Sequence, residues 1–363
     1  MNQQPKSVDL PPFACNYTPQ VPELLYKLGC SIAISTYQAG KIVFVSAKDH
    51  KQLVQLPRTF DKPMGIAEHP EKDKLALATR DEIVVFANSP ALAAHYPKSP
   101  KKYDSLYVPR MTYHTGPLDI HDLCYGEKDQ LFAVNTLFST IIQLDDDFNF
   151  RPYWTPPFID QLVSEDRCHL NGMAMQNGKP KYATSFNQGN SRQSWRATIT
   201  TTGSIFDLDS NEVVITGLPM PHSPKLYHGE LYVLLSATGQ LAKIDLAKGT
   251  YEVIVEIGGF VRGMSLHGDY LFVGLSKLRK ASTTFSQLDF AEKANQSGIA
   301  IIHLPTGKLV GKINYLNSVE EIYDVHILRN KRRPNILNTL TEDHKRALMI
   351  PGTTYWARDI KKD

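Results

Sequence analysis

The sequence predicts an all-β chain folded as a six-bladed β-propeller, and two observations predict it. Six short strands open on nearly the same phrase: Pro-Met-Gly-Ile-Ala at 63–67, Ile-His-Asp-Leu-Cys at 120–124, Leu-Asn-Gly-Met-Ala at 170–174, Pro-His-Ser-Pro-Lys at 221–225, Val-Arg-Gly-Met-Ser at 261–265 and Ile-Tyr-Asp-Val-His at 322–326. Most continue through a turn into a second apolar strand ending in Thr, Asn or Ser, at 75–79, 131–136, 181–185, 231–236 and 271–276. A repeat of 40 to 61 residues made only of short strands is the mark of radial blades.

Each end of the chain completes the other. Period-two, β-branched stretches at 31–35, 41–46 and 52–56 precede the first phrase, while the last phrase, at 323–328, has too little strand sequence after it for a full blade. The N-terminal strands are therefore expected to join the C-terminal one, closing the ring and removing free sheet edges. This assigns 1–23 to a flexible tail, 24–350 to a single propeller and 351–363 to a C-terminal tail.

Composition narrows the function classes. Forty Lys and Arg against 37 Asp and Glu leave a net charge of +3, too weak a field for electrostatic nucleic-acid binding. The basic clusters at 98–102 and 331–333 read as solvated turns. No apolar run reaches the roughly 20 residues needed to span a bilayer, and no basic, then apolar, leader opens the chain. Cys15, Cys30, Cys124 and Cys168 lack metal or disulfide spacing, so free thiols in a cytoplasmic setting are expected.

Blade geometry brings the start of each inner strand and the loop after each second strand to one face. The long segments 87–119, 147–169, 186–194 and 277–297 lie at those junctions, where loops on a rigid scaffold carry function. A short amphipathic helix at 285–296 would lie over the channel as a lid. The residue just before the small residue of each phrase supplies the ring Met64, His121, Asn171, His222, Arg262 and Tyr323. Five of the six are polar and they differ in chemistry, which a purely structural position would not require. Six-fold geometry sets His121 opposite Arg262, Asn171 opposite Tyr323 and Met64 opposite His222.

The ring suits a small-molecule or anionic ligand in the channel. Arg262 offers a bidentate clamp for an anion, with Asn171 and Met64 as further substrate contacts. His121, His222 and Tyr323 are the candidate catalytic acid–base groups. His121 and His222, completed by Asp122, Glu321 or water, would alternatively hold one divalent transition metal, with His169 a further ligand. Trp154, Trp195 and Trp356 read as packing groups by default.

The phrases at 63–67 and 171–174 resemble those of NHL-type and gluconolactonase/paraoxonase-type six-bladed propellers. The wider chain, including Ser-Thr-Tyr-Gln-Ala-Gly at 35–40, Asp-Ile-His-Asp-Leu at 119–123 and Cys-His-Leu-Asn-Gly-Met-Ala at 168–174, resembles a bacterial family of conserved proteins with a domain of unknown function. That resemblance implies the fold and no established activity. The lactonase-type resemblance implies a calcium site of acidic and Asn side chains; Asn171 fits it, whereas Met64, His222 and Arg262 do not. The sequence thus leads to a propeller enzyme acting on a small anionic substrate as a lyase, isomerase or hydrolase. The alternatives are a binding module for a peptide, glycan or metabolite, and a metal-dependent lactonase-like hydrolase.

Overall fold

The structure is a computed structural model that describes residues 10–278 and 294–358; most of the segment expected to form a lid lies outside them. Six sheets form a ring, antiparallel except where Pro334–Ile336 adds parallel to Ser105–His114, and this is the predicted six-bladed propeller. Numbered by inner strand, blade 1 runs Ile66–Glu68, Lys74–Ala78, Glu82–Asn88, Ser105–His114 and blade 2 runs Ile120–Tyr125, Leu131–Asn135, Thr140–Gln143, Arg151–Trp154. Blade 3 comprises Gly172–Gln176, Lys179–Ser185, Gly203–Asp207 and Glu212–Leu218, and blade 4 Pro221–Tyr227, Glu230–Leu235, Gln240–Asp245 and Thr250–Glu256. Blade 5 is Phe260–His267, Tyr270–Ser276, Gly298–His303 and Lys308–Tyr315.

Blade 6 closes the ring as the sequence predicts. Its inner strand, Asp324–Leu328, pairs with Ser31–Thr36, which is followed by Lys41–Ala47 and Leu53–Thr59. Cys15–Tyr17, inside the stretch assigned to a tail, pairs with the outer strand of blade 5. The boundary at 23/24 falls within the helix Val21–Leu28, and that at 350/351 within the hairpin of Ala347–Ile350 and Thr353–Trp356. The tail assignment missed these elements because three strand residues and eight helical ones carry too little periodicity to stand out.

The middle strands of each blade are buried on both faces and so read as continuous apolar runs. Ser31–Thr36 is buried throughout, and Ile-Val-Phe-Val within Lys41–Ala47 likewise. Side chains from facing blades interlock: Ala76, Ala78, Ile83 and Val85 of blade 1 pack on Leu123, Leu131 and Ala133 of blade 2. Far-face hairpins are tight. Asn177-Gly178 and His228-Gly229 are both left-handed pairs bridging two-residue turns, the conformation that matches strand twist.

The small position of the repeated phrase alternates around the ring, with Gly65, Gly172 and Gly263 in odd blades and Asp122, Ser223 and Asp324 in even ones. Each even side chain accepts a backbone N–H from the next blade. Asp122 Oδ2 takes that of Met173 (3.0 Å), Ser223 Oγ that of Gly263 (3.0 Å) and Asp324 Oδ2 that of Ile66 (2.9 Å). Each glycine in turn admits the following strand. A Cβ at Gly263 would stand 2.7 Å from Asp324 Cα, and one at Gly172 would strike Pro224. Hydroxyls ending the second strands add a further stitch: Thr136, Ser236 and Ser276 donate to the carbonyls of Leu170, Val261 and Ile322 in the next blade. Among the described residues, no helix is long and apolar enough to cross a membrane.

Candidate functional site

The channel opens at the predicted face into a cavity of about 470 Å³. Of the six ring residues, Met64, His121, His222, Arg262 and Tyr323 line it. Asn171 does not: it is buried in the wall, its Oδ1 accepting from Thr184 Oγ1 at 2.7 Å and its Nδ2 unpartnered. The loops after second strands arrive as expected and contribute Tyr37, Gln38, Phe186, Lys277 and Leu278.

Of a second layer, the sequence singled out only His169 and Glu321. The residues two before each ring position, Lys62, Asp119, His169, Met220, Phe260 and Glu321, all line the same cavity. The signal was available in the spacing alone, since each lies two positions before a ring residue. Four of these six, Lys62, Asp119, His169 and Met220, have left-handed φ between 50° and 55°. Such backbone costs a non-glycine residue about 1–2 kcal/mol.

Three imidazoles face this cavity, and in each one nitrogen is already committed. His121 Nδ1 lies 2.9 Å from the carbonyl oxygen of Asp119, which can only accept. His222 Nδ1 is 2.7 Å from Ser236 Oγ and 3.2 Å from the Met220 carbonyl; since the Ser236 hydroxyl donates to Val261, its oxygen accepts here. His169 Nδ1 meets both oxygens of Asp166 at 3.0 and 3.1 Å. Nδ1 therefore holds the proton in all three, and Nε2 is the nitrogen left for the cavity. Asp166 is fixed in turn by the Trp195 indole N–H, 3.1 Å from Oδ2, and His169 stacks on Phe186 at 4.5 Å. The loop carrying Asp166 is braced by Arg167, paired with Asp160 (2.6 Å) and Glu165 (2.8 Å).

Arg262 supplies the charge. Its guanidinium lies over the Tyr323 ring, 3.6 Å from the centroid, with Nη1 3.7 Å from Glu321 Oε1. Gln38 also bonds Glu321. At the rim Lys62 lies 3.9 Å from Asp119. Burial, then the nearby Arg262 charge, holds His121 and His222 well below the usual imidazole range, so both are neutral at pH 7. Burial pushes the Tyr323 phenol well above its ordinary value, and its hydroxyl donates to the Ile120 carbonyl at 3.4 Å.

Six-fold opposition does not describe the contacts. His121 meets Tyr323 edge-on (5.5 Å) and His169 (4.8 Å), whereas His222 packs on Phe186 and Phe260. Among the described residues, no three His, Cys, Asp or Glu side chains converge as a metal-holding group. A metal on His121 and His222 would thus lack the remainder of its shell. Below the cavity Lys225 pairs with Asp122 at 3.1 Å and, with Asp324, borders a separate cavity of about 270 Å³ at the far face.

No curated protein matches the chain. Among solved structures, a chain from a nidogen/laminin complex aligns with a TM-score of 0.53 at 10% identity, over 83% of this chain and 99% of that one. A protein of unknown function from Bacteroides caccae aligns with a TM-score of 0.51, again at 10% identity over 83% and 99%. Both likenesses concern the fold alone. The match that places the sequence is over residues 19–337, and by it the chain belongs to the family described as "Domain of unknown function (DUF4915)".

Proposed function

We infer that the near-face cavity is an active site for proton-transfer chemistry on a small anionic molecule, of lyase, isomerase or hydrolase type. The observation that carries this is the convergence of a partly buried arginine with three imidazoles whose Nδ1 protons are committed. Arg262, flat on Tyr323, holds the anion. His169 is the general base, because Asp166 fixes its tautomer and stabilises the imidazolium formed when Nε2 takes a proton. His121 and His222, kept neutral, accept hydrogen bonds and orient the substrate. Tyr323 serves as platform rather than acid, since its proton is tied to Ile120. Met64 is apolar wall, and Asn171 supports the wall from behind.

A non-catalytic module is the second reading, favoured by the prestacked Arg262–Tyr323–Tyr37 set, which holds an anion without chemistry. Calcium-type lactonase chemistry is poorly served, because Asp119 and Glu321 already face Lys62, Arg262 and Gln38. The opening phrases support an NHL/gluconolactonase-like type of bacterial origin, and four free thiols support a cytoplasmic setting.

The test is solvent exchange. Small carboxylates, phosphates and lactones are incubated with the protein in deuterated water and followed by NMR for deuterium uptake or hydrolysis. Turnover of at least one class is expected, falling about 100-fold or more in His169→Asn, the size of a general-base contribution. Binding of an anion with no exchange or turnover anywhere in the panel would establish the module reading instead.

A further inference from the structure

The hydrogen-bond polarity of the cavity specifies its ligand further, on the reading that Arg262 binds an anion. His121, His169 and His222 are each donors through Nδ1 to a partner that accepts: a carbonyl, a carboxylate and a hydroxyl oxygen whose own proton is spent. Each therefore leaves Nε2 as the acceptor nitrogen of a residue that lines the cavity. An anion made only of acceptor oxygens, such as sulfate, satisfies Arg262 and leaves these acceptors facing lone pairs. Buried acceptors without donors cost about 1–3 kcal/mol each.

Charge decides which donor fits. Leaving the imidazoles aside, the cavity is lined by Arg262, Lys62 and Lys277 against Asp119 and Glu321, an excess of one cation. That matches a monoanion and disfavours an ammonium group beside Arg262. Hydroxyl groups donate without adding charge. We propose that the ligand is a hydroxy-monocarboxylate, its carboxylate on Arg262 and its hydroxyl donating to Nε2 of His169 or His121, whose rings lie 4.8 Å apart. A site built to accept from a hydroxyl rejects the analogue that lacks it far more strongly than it discriminates by size.

Matched triads test this by calorimetric titration of the full chain: lactate, propionate and alanine, then mandelate, phenylacetate and phenylglycine, with inorganic sulfate alongside. The hydroxy acid of at least one triad is expected to bind ten-fold or more tightly than its deoxy and amino partners and than sulfate. His169→Asn, a residue tolerant of left-handed φ, is expected to reduce that preference and Arg262→Gln to abolish binding. Equal affinities within each triad, or tighter binding of the amino acid or of sulfate, would overturn the hydroxyl assignment while an Arg262-dependent anion site stands. Failure of every anion to bind would overturn both.

Discussion

At the scale of single residues, the buried histidines couple the site to the stability of the fold. His121 and His222 are held below the ordinary imidazole value by burial first and by Arg262 second, with His169 adding to both. Lys62 adds to the effect on His121, and the Asp119 carbonyl opposes it. Below pH of about 6.5 the unfolded chain protonates these groups and the folded chain does not. Stability is therefore complete above that pH and declines as pH falls toward the folded values, by at most about 1.4 kcal/mol per unit for each group. Urea denaturation between pH 7.5 and 5.5 should show this decline in the wild type. His222→Gln should flatten it by up to half, and Arg262→Gln should also flatten it by restoring both imidazoles toward their ordinary range. Identical slopes in all three proteins would show that the histidines titrate normally.

At the scale of the inner strand, the alternation of glycine with Asp or Ser makes two kinds of blade junction, one drawn together by a side-chain acceptor and one by close backbone approach. Gly263 bears the second kind most heavily, with φ at 73° and the Asp324 and Val325 backbone 2.7 Å from any added Cβ. Gly263→Ala should cost about 2–5 kcal/mol, from left-handed strain of about 1–2 and overpacking of about 1–3. Gly258→Ala, with φ at 80° and open space around it, should cost only the strain. The difference in urea midpoint between the two reads the junction directly. The phrase itself was legible because a strand's outward residues repeat, and so was the ring it supplies. The layer two residues upstream mostly precedes the strands and lies outside the phrase, and its residues share no chemistry, so only His169 and Glu321 stood out, as candidate metal ligands. Asn171 misled because polarity at a ring position does not distinguish a side chain in the channel from one captured by Thr184. The Asp166–His169 pair was illegible for another reason: the indole that anchors Asp166 comes from Trp195, across a loop whose course one sequence does not reveal.

At the scale of the molecule, site and ring closure are one problem. All six blades contribute to the cavity, and blade 6, made from both ends of the chain, carries Tyr323 beneath the Arg262 guanidinium together with Glu321, Tyr37 and Gln38. Two N-terminal elements reinforce this closure. Cys15–Tyr17 extends blade 5, and Val21 and Leu25 of the following helix pack on Ile32 and Ile34 of blade 6 and on Ile299 and Ile301 of blade 5. Leu25 is 1% exposed, so Leu25→Ala should cost about 2–5 kcal/mol as a core cavity. Deleting residues 1–18 removes three strand pairs and their flanking bonds, at about 1 kcal/mol for each net hydrogen bond lost. Both changes weaken the junction that closes the ring, between Ser31–Thr36 and Asp324–Leu328. Hydrogen exchange should therefore accelerate first at the amides of 31–36 and 324–328, ahead of those in blades 2 and 3. Uniform acceleration around the ring would mean that the propeller opens as one unit, with the N-terminal elements adding stability and no local latch.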